Sequence, residues 1–306
     1  MTLAVIFPGQ GTQESGMGLP WREHEAWRVV EQAEAALGEP LGDLIISAPA
    51  EQLTRTRDAQ LAVLLMSLVA WRAVEESGAV TEPVAFAGHS LGQVTALIAA
   101  GVLDIEEGVR FAARRAEVTQ RAADSRPGRM AALLGASLSQ AEDACAAGGA
   151  CWIANDNAPG QVVVAGTPEG VEAGIARAKE LGVKRATPLK VGGAFHTPLM
   201  REAADALARE VLPPVRFGAP SAPVVSNHDA RAYDDADGWR PRLAEHVVVP
   251  VRWRPSMETL AGLGATGCLE VGHGSMLAAL AKRTVPDVAV RGVATPDDLP
   301  SLSEVH

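Results

Sequence analysis

The segment VAFAGHSLGQVTALIAAGVL, residues 84–103, decides the fold class of this chain. Its first part, VAFAG (84–88), is a short apolar run of the kind that becomes a buried strand, and the run breaks at Gly88. LGQVTALIAAGVL (91–103) follows at once and is typical of a helix rich in small residues. A buried strand that turns sharply into a helix is the repeating unit of α/β proteins, so the segment predicts an α/β fold.

The same alternation extends outward towards both ends of the chain. LAVIF (3–7) predicts a strand that ends at the turn signal Pro8-Gly9. On the far side, strands are predicted at 222–227 and 268–272, and helices at 255–265 and 275–283. Strands and helices that alternate in this way predict a doubly wound, mostly parallel sheet.

The middle of the chain has a different order of predicted elements. Strands are predicted at 130–137, 152–156, 161–166 and 184–191, and helices at 139–148 and 168–182. This βαββαβ order is that of the ferredoxin-like unit. We therefore predict a large α/β domain from residues 1–127 and 195–306, and a small inserted domain from residues 128–194.

Composition narrows the class of protein. With 306 residues, 47% apolar and 21% charged, the chain is long and apolar enough for a sizeable core. Its formal net charge of −10 disfavours nonspecific nucleic-acid binding, which needs a basic surface. No signal peptide, membrane-length apolar run, cysteine framework or metal-ligand spacing is visible in the sequence. We therefore expect a cytoplasmic protein without disulfides or a metal.

Gly88-His89-Ser90-Leu91-Gly92 matches the G-x-S-x-G pattern of a nucleophile elbow. Small residues on both sides of the serine allow a sharp turn that lifts its hydroxyl above the sheet. A predicted strand before the pattern and a predicted helix after it make Ser90 a candidate nucleophile. The alternative is a glycine-rich turn that needs small residues only for compactness.

A serine nucleophile needs a base. Of the seven histidines, His196 lies in GGAFHTP (192–198), where the predicted insert rejoins the large domain. A cleft between two domains is a common place for a substrate, which makes His196 a candidate base. Many serine hydrolases also use a carboxylate to orient the histidine, and the sequence does not choose between candidates such as Asp229 and Glu270.

Two further segments carry candidate binding groups. Gln10 lies in FPGQGTQ (7–13), where glycines allow the backbone to approach a ligand and Gln10 to donate to an oxyanion. Arg115 lies on the helix predicted after the elbow helix, and a buried arginine would pair with a carboxylate through two hydrogen bonds. The other arginines between 110 and 129 predict either a solvated helix face or a surface that binds an anion or a partner.

Taken in order, these segments resemble the malonyl-CoA:acyl-carrier-protein transacylase family, which includes the acyltransferase domains of polyketide synthases. The matching pieces are FPGQGTQ (7–13), GHSLG (88–92), RRAEVTQ (114–120), GRMAALLG (128–135), NAPGQVVVAG (157–166), GAFHTPLM (193–200), VSN (225–227), VPVRW (249–253) and LEVGHGSML (269–277). They span nearly the whole chain and follow the family's order. The resemblance implies an α/β-hydrolase-like core with a ferredoxin-like insert.

The resemblance also implies the catalytic roles. Ser90 would carry the acyl group and His196 would act as its base, oriented by a backbone carbonyl of the VPVRW segment, near Arg252, instead of a carboxylate. The backbone N–H groups of Gln10 and Leu91 would form the oxyanion hole.

Substrate contacts are implied in the same way for three residues. Arg115 would bind the free carboxylate of a malonyl group, and Asn157 is a further candidate contact. Phe195 resembles the malonyl-selective version of its segment, because a bulky ring leaves little room for an α-methyl branch. Three positions depart from the family's common residues: Gln93, where glutamate is frequent, Gly193, which is smaller than in some relatives, and His273, where proline is common.

We therefore expect a monomeric acyltransferase that needs no cofactor. It would move a malonyl group from coenzyme A to the phosphopantetheine thiol of an acyl carrier protein, through an ester on Ser90 in a ping-pong reaction. Fatty-acid and polyketide pathways both remain open. The alternatives are a trans-acting polyketide-type acyltransferase with another donor, the acyltransferase subunit of a malonate decarboxylase, an acyl hydrolase, or a docking module without catalysis.

Overall fold

The computed structural model describes residues 1–304, and these form a mixed α/β protein with two separate sheets. Its strands are β1 (Leu3–Phe7), β2 (Ala85–Gly88), β3 (Arg129–Leu134), β4 (Cys151–Ala158), β5 (Gln161–Gly166), β6 (Arg185–Pro188), β7 (Val224–Val225), β8 (Ala232–Tyr233), β9 (Gly267–Val271) and β10 (Ala289–Val293). The large sheet has the order β10-β9-β1-β2-β7-β8. All its neighbours are parallel except β7 and β8, which confirms the predicted mostly parallel sheet.

Helices surround the large sheet and cover the small one. The α-helices are α1 (Arg28–Leu37), α2 (Gly42–Ile46), α3 (Thr56–Ser77), α4 (Gly92–Ala99), α5 (Ile105–Ser125), α6 (Leu138–Gly148), α7 (Pro168–Glu180), α8 (Arg201–Ala206), α9 (Trp239–Glu245), α10 (Trp253–Gly262) and α11 (Met276–Thr284). A π-helical turn, Leu207–Val211, continues α8, and 3-10 segments lie at Leu19–Trp21, Glu25–Trp27, Gln52–Thr54, Pro198–Met200 and Pro296–Glu304. None of the helices within residues 1–304 is long and apolar enough to cross a membrane.

The central strands of the large sheet are buried on both faces. In β1, Val5 and Phe7 belong to one apolar cluster, whereas Ala4 and Ile6 belong to another on the opposite face. Successive side chains of a strand point to opposite faces, so a run without polar residues is what a sheet covered by helices on both sides requires. This explains why LAVIF does not alternate with polar residues. The carboxyl ends of β1 and β2 lie side by side, with Phe7 opposite Gly88.

The small sheet is antiparallel and has the order β4-β5-β3-β6. Helices α6 and α7 pack together and against this sheet, and apolar residues of both helices join its buried face. Backbone hydrogen bonds link β4 to the segment before α10: Asp156 N–H donates to Val251 O at 2.9 Å, and Val251 N–H donates to Ala154 O at 2.8 Å. Arg254 of α10 also pairs with the Asp156 carboxylate at 2.8 Å. These contacts hold the small sheet beside the large one.

The predicted division into residues 1–127 with 195–306 and residues 128–194 stays a prediction. The four strands of the small sheet all fall between Arg129 and Pro188, inside the predicted insert. Residues 305 and 306, at the end of the predicted large domain, lie outside the described residues.

Candidate active site

Ser90 sits on a strained bend between β2 and α4. Its φ angle is +51°, in the left-handed region that residues with a side chain rarely adopt. Glycines make the bend possible: a Cβ at Gly88 would lie 1.9 Å from Gly92 O, and one at Gly92 would lie 2.3 Å from Phe7 O. The strand, bend and helix predicted from the sequence are therefore confirmed, and the packing leaves no room for larger residues at either glycine.

His196 lies next to the serine hydroxyl. The distance from Ser90 Oγ to His196 Nε2 is 2.7 Å, although the residues are far apart in sequence. His196 also has a left-handed backbone, with φ +62°, and its N–H donates to Val247 O at 2.9 Å. Two strained residues that meet at one hydrogen bond are typical of a functional site, because surrounding contacts must hold both conformations in place.

The hydrogen bonds of the imidazole decide its tautomer. His196 Nδ1 lies 2.9 Å from His246 O and 3.2 Å from Val249 O. A carbonyl oxygen can only accept, so Nδ1 must carry the proton and donate it. His196 Nε2 is then unprotonated and accepts the hydrogen bond from the hydroxyl of Ser90, as a general base must.

The predicted VPVRW segment does supply a carbonyl to His196, but Arg252 is not the residue that provides it. Arg252 immediately precedes α10, and its own carbonyl accepts hydrogen bonds from Ser256 N–H at 3.0 Å and Ser256 Oγ at 2.7 Å. The first turn of the helix therefore occupies that oxygen. The carbonyls that face His196 belong to His246 and Val249, and Val249 is the first residue of the matched VPVRW segment.

Neither carboxylate considered from the sequence contacts the base. Both oxygens of Glu270 accept backbone N–H groups at the start of α11, from Leu277 at 2.9 Å and Ala278 at 2.8 Å. Asp229 accepts a hydrogen bond of 2.5 Å from the hydroxyl of Tyr233. Backbone carbonyls thus take the place of the acid.

The environment of His196 keeps its imidazole neutral. Burial, the nearby positive charge of Arg115 and the neighbouring His89 lower the pKa of His196 to about 3, although the carbonyls of His246 and Val249 act in the opposite direction. Only 4% of His196 is exposed. The base is therefore unprotonated at neutral pH before a substrate arrives.

The two predicted oxyanion donors lie at the ends of neighbouring strands. Gln10 follows β1, and Leu91 precedes the first residue of α4. Within residues 1–304, neither backbone N–H donates a hydrogen bond to another group of the protein. The loop that carries Gln10 passes close to the backbone of His89, and this requires glycine at position 9, because a Cβ at Gly9 would lie 2.4 Å from His89 O. Two amides without protein acceptors beside a nucleophile are suited to an oxyanion, and their role stays a prediction.

Arg115 of α5 is buried beside Gln60. Only 3% of the residue is exposed, its Nη1 donates to Gln60 Oε1 at 2.8 Å, and its buried Nε has no hydrogen-bond partner among the described residues. No acidic side chain in the described part of the chain lies within ion-pair distance of it. Burial lowers the pKa of Arg115 to about 10, so the group remains a cation at neutral pH. A buried cation without a carboxylate is suited to bind one.

Gln60 is a residue of the site that was not predicted from the sequence. This buried glutamine of α3 accepts from Arg115 and also lies near Gln10, with 3.5 Å between Gln60 Nε2 and Gln10 Oε1. It therefore connects the predicted oxyanion loop to the predicted carboxylate-binding residue. A polar residue just before the apolar run LAVLLM (61–66) was the available signal.

Gly193 leaves the space that the ring of Phe195 occupies. A Cβ at Gly193 would lie 2.8 Å from Ala123 Cβ and 3.3 Å from Cζ of the Phe195 ring. The small residue at 193 is therefore required by the contact with α5 and the ring. Phe195 is partly buried beside His196, and its substrate contact stays a prediction.

Asn157 contacts the side chain of His89, the residue before Ser90. Its Oδ1 lies 2.8 Å from Nε2 of His89, whose ring packs edge-on against Trp253. Asn155 Nδ2 lies 3.3 Å from the same ring nitrogen. The carboxamide oxygen of Asn157 thus has a protein partner, and a contact with substrate stays a prediction.

The arginines of α5 do not form one common surface. Arg110 and Arg114 form ion pairs of 2.9 and 2.8 Å with glutamates of their own helix, as on a solvated face. Arg121 and Arg126 line a surface cleft of about 600 Å³ between α5 and the α8 region. Arg115 is the buried member of the run.

Three buried histidines make stability depend on pH. Burial is the main cause that lowers the pKa of His89, His196 and His246 below the ordinary value of 6.5. As the pH falls through about 6.5, the unfolded chain takes up protons at these residues while the folded chain does not, so stability present above that pH is lost below it.

We expect urea unfolding between about pH 6.5 and pH 5.5 to show this loss, with up to about 1.4 kcal/mol per pH unit from each of the three residues. The variant His89→Gln should have a shallower slope, by up to about one third, because it takes up one proton fewer on unfolding. An identical slope in the two proteins would contradict the prediction.

A serine on a sharp bend, hydrogen-bonded to the unprotonated nitrogen of a neutral histidine, is the arrangement of an enzyme that forms an acyl ester. The chain matches the family described as "Acyl transferase domain" over residues 4–295, so the fold and site define an acyltransferase. Malonyl CoA-acyl carrier protein transacylase of Escherichia coli (strain K12) is 38% identical over 309 residues, with 99% of each chain covered. The protein of that name from Bacillus subtilis (strain 168) is 37% identical, with 97% of this chain and 95% of the relative covered. The chain therefore belongs to the malonyl-CoA:acyl-carrier-protein transacylase family.

Solved structures agree with this assignment. Acyl-carrier-protein S-malonyltransferase from Burkholderia pseudomallei 1710b is 36% identical, with a TM-score of 0.94 and 99% and 100% of the two chains covered. A malonyl-transacylase solved in complex with its type II PKS acyl-carrier protein is 35% identical, with a TM-score of 0.95 and all of both chains covered. The family resemblance predicted from the motifs is confirmed.

Proposed function

We propose that this enzyme moves a malonyl group from coenzyme A to the phosphopantetheine thiol of an acyl carrier protein through an ester on Ser90. The observation that carries the proposal is the 2.7 Å contact between Ser90 Oγ and the unprotonated Nε2 of His196. The names of the relatives support the malonyl donor and the carrier, and the buried, carboxylate-free Arg115 supports a donor that has a free carboxylate.

The first half-reaction acylates the serine. His196 Nε2 takes the hydroxyl proton while Ser90 Oγ attacks the thioester carbonyl, which forms the C–O bond and a tetrahedral oxyanion. The N–H groups of Gln10 and Leu91 donate to this oxyanion, and one such donor is typically worth about 3–4 kcal/mol. The C–S bond then breaks, and the coenzyme A sulfur leaves with the proton held by His196.

The second half-reaction runs in the opposite direction with another thiol. The carrier's thiol gives its proton to His196, and its sulfur attacks the ester carbonyl. The C–O bond to Ser90 breaks, and the serine oxygen recovers the proton from His196. The carbonyls of His246 and Val249 stabilise the imidazolium that exists between these transfers, because both accept from Nδ1.

The finer description of the fold belongs to this proposal. We propose an α/β-hydrolase-like large domain, supported by the elbow at the carboxyl end of β2, and a ferredoxin-like insert at residues 128–194. The βαββαβ order of β3, α6, β4, β5, α7 and β6 supports the second part. A cytoplasmic monomer that needs no cofactor remains our prediction.

Intact-mass measurement with a panel of acyl-CoAs tests the proposed reaction. Malonyl-CoA should add one malonyl group to Ser90, and addition of a phosphopantetheine-bearing carrier should move the group to the carrier. Acetyl-CoA should react poorly because Arg115 would be left unpaired, and methylmalonyl-CoA should react slowly because of the Phe195 ring. Release of free acid without carrier would identify a hydrolase, and the absence of any adduct would identify a non-catalytic module.

A further inference from the structure

Behind the catalytic histidine lies a small polar cavity that the proposed reaction does not use. Its volume is about 10 Å³, and its lining includes Gln93, Asn227, His228, Leu243 and His246. Gln93 and His246 are both only 2% exposed.

Four polar atoms of these lining residues have no hydrogen-bond partner within residues 1–304: Gln93 Nε2, His228 Nδ1, and both ring nitrogens of His246. Burial of such atoms without partners destabilises the folded protein. A cavity of roughly 10–15 Å³ can hold one water molecule when two to four polar groups surround it. The size of the cavity and the unpaired atoms together point to one ligand.

We propose that this cavity binds one water molecule that bridges the Gln93 carboxamide and the His246 imidazole, and that these two side chains are positioning residues for His196. The orientation of Gln93 is set by Asn227, whose backbone N–H donates to Gln93 Oε1 at 2.9 Å. The Gln93 Nε2–H groups therefore remain to donate to the water. The same water donates to the unprotonated ring nitrogen of His246, because a neutral imidazole has one donor and one acceptor.

The bridge would close a ring of hydrogen bonds around the two catalytic side chains. Ser90 N–H donates to Asn227 Oδ1 at 2.8 Å, and Asn227 is joined to Gln93. On the other side, His246 O accepts from His196 Nδ1 at 2.9 Å, and His196 Nε2 meets Ser90 Oγ at 2.7 Å. The water is the one link between Gln93 and His246 that the protein's own atoms do not supply. It would therefore fix the carbonyl of His246 relative to the backbone of Ser90.

A neutral His246 is required for this arrangement. Burial is the main cause that lowers the pKa of His246 well below its ordinary value, and the neighbouring groups His196, Arg115, His228 and His89 act in the same direction. An imidazolium would have two donors and no acceptor for the water. The rings of His196 and His246 lie with their centroids 5.2 Å apart, so a neutral His246 also avoids repulsion of the protonated base.

The first test is a crystal structure of the unmodified enzyme at a resolution that shows ordered water. We expect density for one water within about 2.7–3.2 Å of a Gln93 nitrogen and a His246 nitrogen. Well-ordered side chains with no density in the cavity would overturn the proposed water. This observation does not depend on enzyme activity.

The second test measures acylation of Ser90 by malonyl-CoA in variants, and it rests on the proposed function through the role of His196 as base. His246→Phe keeps a ring but removes both nitrogens, and Gln93→Met keeps the length but removes the donors. We expect each to lower kcat about tenfold with KM unchanged, and to broaden or shift the His196 Nδ1 proton signal in NMR spectra. The control Leu243→Met changes an apolar wall of the same cavity, and it should change neither kcat nor the His196 Nδ1 proton signal.

Rescue distinguishes positioning from packing. Gln93→Glu keeps an acceptor for Asn227 N–H and an oxygen for the water, which can donate as well as accept, so most of kcat should return relative to Gln93→Met. Equal kcat for Gln93→Met, His246→Phe and Leu243→Met would overturn the positioning role. Failure of the unmodified enzyme to form the Ser90 ester would instead contradict the proposed function and leave the crystallographic test of the water intact.

Discussion

The variant His196→Ala is expected to form the Ser90 ester about 10²–10⁴ times more slowly than the unmodified enzyme, which is the usual contribution of a positioned general base. The reason is the short contact between Ser90 Oγ and His196 Nε2, since no other described side chain hydrogen-bonds to the serine hydroxyl. Rapid mixing with malonyl-CoA followed by intact-mass measurement gives the rate. Ser90→Ala, which cannot form the ester, gives the background.

Two controls separate loss of the base from loss of the fold. His196 has φ +62°, and asparagine tolerates this region better than alanine, so His196→Asn should fold at least as well and remain equally slow. His24→Asn changes a histidine that caps a 3-10 segment away from the site and should keep the full rate. If His196→Ala forms the ester at nearly the rate of the unmodified enzyme, His196 is not the general base.

The elbow could be predicted from the sequence because its determinants are local. A strand, two glycines and a small-residue helix lie within the single segment 84–103, and the close contacts of Gly88 and Gly92 show why larger residues are absent there. The parallel sheet was predictable for a similar reason, since a run such as LAVIF lacks polar residues only when both faces of the strand are covered.

Contacts between distant segments could not be predicted in this way. The carbonyls that orient His196 come from residues about fifty positions away, and the choice of His246 and Val249 over Arg252 depends on where α10 begins. Asn227, which holds the backbone of Ser90, lies 137 positions from it. Strand β10 was likewise not predicted, because its segment AVRGV is mostly exposed or half-buried and includes a charged residue.

The variant Arg115→Ala should lose malonyl transfer selectively. Loss of one partner of a buried, charge-assisted contact commonly costs about 2–5 kcal/mol, so we expect acylation by malonyl-CoA to fall roughly 30- to 4,000-fold. Acetyl-CoA has no carboxylate and should react as fast as before or faster, because a buried cation is no longer left unpaired. Competition between the two thioesters, read as the masses of the Ser90 esters, measures the change. Arg114→Ala is the matched control, since this neighbour on α5 is exposed and pairs with Glu117.

The same variant tests how the substrate acts on the base. The positive charge of Arg115 is the second cause, after burial, of the low pKa of His196. A malonyl carboxylate bound to Arg115 would offset that charge, so the correct substrate would make His196 a stronger base at the moment the proton moves. Arg115→Ala should therefore raise the pKa of His196, and the loss of acetyl transfer on acidification should begin at a higher pH in the variant than in the unmodified enzyme. Unchanged malonyl kinetics in Arg115→Ala would contradict the carboxylate contact. If selectivity changes but acetyl transfer is lost at the same pH as in the unmodified enzyme, only the electrostatic coupling between Arg115 and His196 is contradicted.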